Sequence, residues 1–204
     1  MQPRRALCLA ILTLAVSPVL SAAVHFTSGH RALAIPFQLD DGHIYLRVTV
    51  NGSPPLSFLL DTGASHTVLD LRHARSFGMT LQPLDRVTGG VGARPPESYL
   101  VTDTVTNALP GAVFSDDTTV AIPLDQTRDC VARPGESKIV DGILGKDFFS
   151  QVVVELDYQA RRINLYAPDS YAYKGIGKAF PLEIDSQFIF LQTQVKAAGR
   201  PPTT

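Results

Sequence analysis

Between Ile44 and Asp61 the sequence changes character three times, and this stretch limits what the chain can fold into. Ile44-Tyr45-Leu46-Arg47-Val48-Thr49-Val50 sets Ile44, Leu46, Val48 and Val50 on one side, the period of two of a half-buried strand. Asn51-Gly52 follows, and because both residues tolerate positive φ the pair predicts a tight turn. With Ser53 these residues also spell a glycosylation sequon, but the turn accounts for them without any modification. Leu56 to Leu60 then reads as a strand buried on both faces, and it runs straight into Asp61. A carboxylate at the end of a core strand is costly unless it is paired, hydrogen-bonded or used.

The rest of the chain repeats this alternation of short strands and turns. Val152 to Leu156 and Arg162 to Tyr166 form an expected hairpin around residues 157–161. Short helices are expected at Asp70 to Phe77 and at Lys146 to Phe149. No heptad pattern or long amphipathic helix occurs, and fifteen Gly and fifteen Pro in 204 residues supply the turns, so the predicted class is mainly β. A formal charge of −1 without clustered Lys and Arg excludes a nucleic-acid partner.

The neighbours of Asp61 each have a way to satisfy its carboxylate. Gly63 lacks a side chain, so its amide can approach closely; Thr62 can hydrogen-bond to an adjacent backbone and lock the loop; Ser65 offers a hydroxyl to the outer carboxylate oxygen. With this context, Phe58-Leu59-Leu60-Asp61-Thr62-Gly63-Ala64-Ser65 resembles the catalytic loop of the retropepsin-like aspartic proteases, matching their apolar-apolar-Asp-Thr-Gly-Ala-Ser form without a gap. Ile143-Leu144-Gly145, followed by Lys146-Asp147-Phe148-Phe149, resembles the family's apolar-apolar-Gly element, whose glycine lets two backbones pass beside the catalytic loop. Thr88-Gly89-Gly90-Val91-Gly92 resembles the tip of the substrate-covering flap, giving Gly89 and Gly90 as substrate-binding candidates. The resemblance spans about Ile35 to Tyr166 and implies a retropepsin-like acid-protease β-barrel lobe with one or two short helices.

It also implies an aspartic endopeptidase with Asp61 catalytic, Thr62, Gly63 and Ser65 supporting the loop, a polypeptide substrate, and no metal or other cofactor. Two carboxylates about 3 Å apart cannot both ionise, so one draws a proton from a shared water while the other protonates the scissile carbonyl. This chain carries one Asp-Thr-Gly, so the second carboxylate has to come from a second lobe of the same chain or from a homodimer mate. Two other readings use the same residues: a peptide-binding or dimerisation module that keeps the fold without catalysis, and an exported β domain in which Asp61 is only a buried anchor.

The C-terminal sequence favours the second lobe. Leu191 to Thr204 aligns without a gap to Ile44 to Ser57, placing Gly199, Pro201 and Pro202 on Gly52, Pro54 and Pro55, while Phe180-Pro181-Leu182 echoes Ile35-Pro36-Phe37. The sequence ends four residues short of where a second aspartate would fall, so residues 175–204 are expected to begin a second, truncated repeat after a protease domain over 24–174. At the other end, Arg4-Arg5, the apolar run Ala6 to Val16 and Ser21-Ala22-Ala23 have the layout of a signal peptide over 1–23, predicting a periplasmic or secreted protein. That run is too short for a stable membrane span, which needs about 20 apolar residues. Its removal takes Cys8, leaving Cys130 as a single thiol.

The remaining polar residues receive plainer readings. The five histidines show no metal-binding spacing, and His66 and His73, flanking the loop and the first helix, are expected in surface or structural roles. Asp40-Asp41 and Asp116-Asp117 are read as solvated turn residues, and Asp141-Gly142 as a turn.

Overall fold

A computed structural model describes residues 24–84, 97–124, 140–185 and 188–194. The leader-like segment 1–23, the glycine-rich stretch with Gly89 and Gly90, Cys130, and residues 195–204 lie outside the described residues.

The alternating segment forms β4 (His43–Val50), after β1 (His25–Phe26), β2 (Arg31–Pro36) and β3 (Gln38–Asp40). Ile44, Leu46, Val48 and Val50 are all buried, as the pattern requires. Tyr45 is buried too, so the start of β4 is covered on both faces. Asn51 and Gly52 adopt φ of 49° and 77°, and the Ser53 amide closes the turn on the Val50 carbonyl at 2.9 Å. The chain returns as β5 (Leu56–Leu60), which pairs antiparallel with β4, setting Phe58 opposite Leu46 and Leu59 opposite Tyr45.

Beyond the Asp61 loop come β6 (Val68–Asp70) and α1 (Leu71–Ser76). Asp70 is fully buried and caps this helix: its Oδ1 accepts from the Arg72 amide at 2.9 Å, and its Oδ2 from the Leu124 amide at 3.1 Å. The strands β7 (Leu81–Pro83), β8 (Tyr99–Val101), β9 (Val105–Leu109), β10 (Ala112–Asp116) and β11 (Val120–Ile122) extend the sheet, and β12 (Gly142–Leu144) leads into α2 (Lys146–Phe149). The main sheet runs β1-β10-β9-β4-β5-β12-β6-β11-β8-β7, with β3 paired to β4. The predicted hairpin is β13 (Val153–Asp157) and β14 (Arg162–Tyr166), starting one residue later than expected, and β14 joins β2 in a second sheet.

The position of β12 organises the rest. It lies parallel to β5, with Gly142 beside Phe58 and Leu144 beside Leu60, and antiparallel to β6 on its other edge. The two strands joined by the Asp61 loop are thus held apart by a third strand from much later in the chain, Gly142 pairing with Phe58. Leu144 and Phe148 are fully buried, and the Phe148 ring packs on Phe114 at 5.1 Å between centroids. At the exit of β12 the backbone passes so close beneath the loop that only glycine fits. A Cβ on Gly145 would lie 2.8 Å from the Ala64 carbonyl oxygen and closer still to that of His66. Neither obstacle is a flexible side chain.

Replacing Gly145 by Ala is therefore expected to destabilise the protein by about 1–3 kcal/mol, the range for overpacking a tight interior. Urea unfolding of the Gly145→Ala variant checks this, with a wild-type midpoint as the contrary result.

Candidate active site

Asp61 sits directly beyond β5, and its backbone extends the β5–β12 ladder: the Asp61 amide donates to the Leu144 carbonyl at 3.0 Å. The chain then turns sharply. The Ala64 amide donates to the Asp61 carbonyl at 3.3 Å, and the Ala64 carbonyl accepts from the Lys146 amide at 2.8 Å. The loop is pinned at both ends to the β12–α2 junction.

The carboxylate of Asp61 is half-buried. Its Oδ1 accepts from the Gly63 amide at 2.8 Å, and a Cβ at Gly63 would stand 3.1 Å from that oxygen, tighter than ordinary contact. Thr62 is exposed, and its hydroxyl has no hydrogen-bond partner among the described residues. The half-buried Ser65 donates no hydrogen bond to Asp61 among the described residues. Thr62 and Gly63 form an open rim beside the carboxylate. Gly89 and Gly90 fall outside the described residues, so their relation to Asp61 is not addressed by the fold.

A family model for aspartyl proteases matches residues 46–148, which include the loop, the threaded strand and the second helix. The chain belongs to the aspartyl protease family. Among solved structures it is similar to a retropepsin-like aspartic protease from Rickettsia conorii, at 17% identity and a TM-score of 0.44, over 72% of this chain and 94% of the other. No curated protein matches it in sequence. With the family goes the fold class read from the sequence, a mainly β lobe of the retropepsin-like type with two short helices.

Sequence reasoning missed the polar groups that brace this family member's loop from behind. His66 Nδ1 donates to Asp147 Oδ2 at 3.1 Å, and the same oxygen accepts from the Thr118 hydroxyl at 3.0 Å and the Thr67 amide at 3.3 Å. The Thr118 amide donates to Asp116 Oδ1 at 2.8 Å, and its hydroxyl, which lies 2.9 Å from that oxygen, shares its one proton between Asp116 and Asp147. Asp116, read as a solvated turn residue, is buried at the end of β10, because this network draws it inward. Asp141 does not make the expected turn. Its Oδ2 accepts from the Ser57 amide at 2.8 Å and its Oδ1 from His73 Nε2 at 2.8 Å, tying α1 to the entry of β12. His66 and His73 fill structural roles through their hydrogen bonds with Asp147 and Asp141. Asp40 and Asp41 are exposed, at the end of β3 and in the turn before β4.

The His66–Asp147 pair has a defined pH window. The hydrogen bond to Asp147 raises the His66 imidazole above its ordinary value against opposing desolvation, with help from the charges of Asp147 and Asp116 and opposition from Lys146. Desolvation pushes the Asp147 carboxyl up, but His66, Thr118 and Thr67 together outweigh it and hold it below the ordinary range. A raised histidine stabilises the fold fully below its unfolded value of 6.5, and loses that effect as pH rises through the folded value. A lowered carboxyl stabilises above 3.8, and loses its effect as pH falls through the folded value. The brace is strongest between these limits.

Because the His66 side chain is 43% exposed and screened by solvent, the pair contributes less than about 1 kcal/mol. The His66→Gln variant should unfold more easily than wild type near about pH 5.5 and match it near about pH 8.5. Equal destabilisation at both pH values would show that shape, not charge, is what Gln lacks.

Proposed function

We propose that this chain supplies one catalytic lobe of an aspartic endopeptidase, with Asp61 as one of two carboxylates that activate a water for peptide hydrolysis. The observation that carries the reading is the Asp61 loop itself. A carboxylate leaves a buried strand, is held by the Gly63 amide at 2.8 Å, and sits in a loop tied to Leu144 at one end and to Lys146 at the other, all inside the family-matched region. A group fixed in this way loses little freedom when a substrate or a second carboxylate approaches. The exposed rim of Thr62 and Gly63 supports the second half of the proposal, since it leaves the loop open to a facing loop.

In the complete site one carboxylate is ionised and one protonated, because like charges about 3 Å apart raise the cost of the second ionisation. The ionised oxygen removes a proton from the water as it attacks the scissile carbonyl carbon. The protonated member donates to the carbonyl oxygen, giving a neutral tetrahedral diol; as the C–N bond breaks, the proton gained from the water goes to the amine and one diol hydroxyl returns its proton to the other carboxylate, restoring the pair. The pair titrates as a unit.

The substrate class is polypeptide, and the site of action follows the amino-terminal sequence. Residues 1–23 are proposed as a cleaved signal peptide, with the mature protein periplasmic or secreted. Among the described residues no helix is long and apolar enough to cross a membrane.

Replacement of Asp61 by Asn in the full-length protein is expected to reduce peptide cleavage roughly 10²–10⁴-fold or more while leaving the unfolding transition in place. Cleavage of an unstructured polypeptide, followed by mass spectrometry of the fragments, reads this directly. Undiminished cleavage by Asp61→Asn would remove the assignment, and a folded wild type without any cleavage would leave a non-catalytic binding module.

A further inference from the structure

The second sheet borders a groove of about 890 Å³, within the size of a small-ligand site. Its walls come from β2, β13, β14 and the chain that follows, and among the described residues no part of the Asp61 loop lines it. Ile163 and Leu165 of β14 are buried, so the period of two turns Asn164 and Tyr166 to the outer face. There Glu155 is already occupied. Its Oε1 accepts from Asn164 Nδ2 at 3.1 Å, and its Oε2 from the Tyr166 hydroxyl at 3.3 Å. Desolvation and the charge of Glu155 raise the Tyr166 phenol above its ordinary value against the opposing charge of Arg31, which keeps it a donor.

Three tyrosines line the groove, and each is held before anything binds. Tyr166 and Tyr171 pack ring to ring at 4.9 Å between centroids, while the Tyr173 hydroxyl accepts from the Gly177 amide at 3.0 Å. Rings restrained in this way offer a large contact area at low entropic cost.

Two further observations define the occupant. The first is charge. Arg31, which stands opposite Tyr166 across the β14–β2 pair, and Lys174 also line the groove. Neither side chain makes a hydrogen bond or ion pair among the described residues, and the one carboxylate beside them, Glu155, has donors on both oxygens. The second is backbone. From Tyr171, extended at φ −98° and ψ 132°, to Gly175, no amide donates a hydrogen bond among the described residues. Unpaired cations call for an anion, and a run of unpaired amides calls for a ligand with a backbone of its own.

We propose that this groove docks an acidic polypeptide segment, with one carboxylate forked on the Arg31 guanidinium, a second beside Lys174, and the segment's backbone lying along residues 171–175 against the tyrosines. A nucleic acid fits less well, because its unbroken row of phosphates would meet Glu155 in the same groove. The site stands whether or not Asp61 takes part in cleavage.

The full-length protein carrying Asp61→Asn tests this without depending on cleavage. It is immobilised and offered a random decapeptide pool rich in Asp and Glu, beside the same pool with Asn and Gln in their place. Retention of the acidic pool is expected to exceed that of the amide pool at least about fivefold, and to weaken roughly tenfold in Arg31→Gln or Lys174→Gln. Both residues are exposed, so the unfolding midpoint of either variant should match that of the parent. Equal retention of the two pools, or acid-selective retention that survives both substitutions, would overturn the proposal, as would tighter retention of a single-stranded oligonucleotide than of the acidic peptides.

Discussion

The structure depends on one backbone crossing. β12 enters between β5 and β6, and the chain leaves it at Gly145 beneath the carbonyls of Ala64 and His66. Two hydrogen bonds made there, Asp61 amide to Leu144 and Lys146 amide to Ala64, fix the loop more firmly than its own short turn could. The core follows from the same crossing, since it delivers Leu144 and Phe148 to positions with no solvent exposure. A carboxylate at the end of a core strand is tolerable here because it is only part-buried and an amide is aimed at one of its oxygens.

What could be read from the sequence was whatever a local rule decides. Period two gave β4, and adjacent residues tolerant of positive φ gave the turn at Asn51-Gly52. The Asp-Thr-Gly-Ala-Ser stretch marked the loop, and Ile143-Leu144-Gly145 marked the strand that threads it. Interactions between distant segments were not legible. Asp147 meets His66 across 81 positions and Asp141 meets the Ser57 amide across 84, and nothing near any of these residues signals its partner. Asp116 followed the same logic: its turn-like surroundings suggested water, whereas the fold folded it under Thr118. Ser65 was read as a donor to Asp61 because it lies near it in sequence, yet proximity along a chain does not fix direction.

Around the loop, the charges divide into two groups with different work. Asp61 stands with one amide and an open rim, while Asp147, Asp116 and His66 form a hydrogen-bonded brace behind it. Within the brace the hydrogen bond between His66 and Asp147 raises the histidine and lowers the carboxyl, so this pair holds its charge apart from Asp61.

The fixed loop and its open rim are what the proposed pairing of Asp61 with a second carboxylate requires. The pH dependence of kcat/KM for peptide hydrolysis by the full-length protein tests that account most directly. A carboxylate pair predicts a bell-shaped profile with both limbs in the acidic range, one for each proton of the pair. A profile that climbs through neutral pH on a single limb would contradict it.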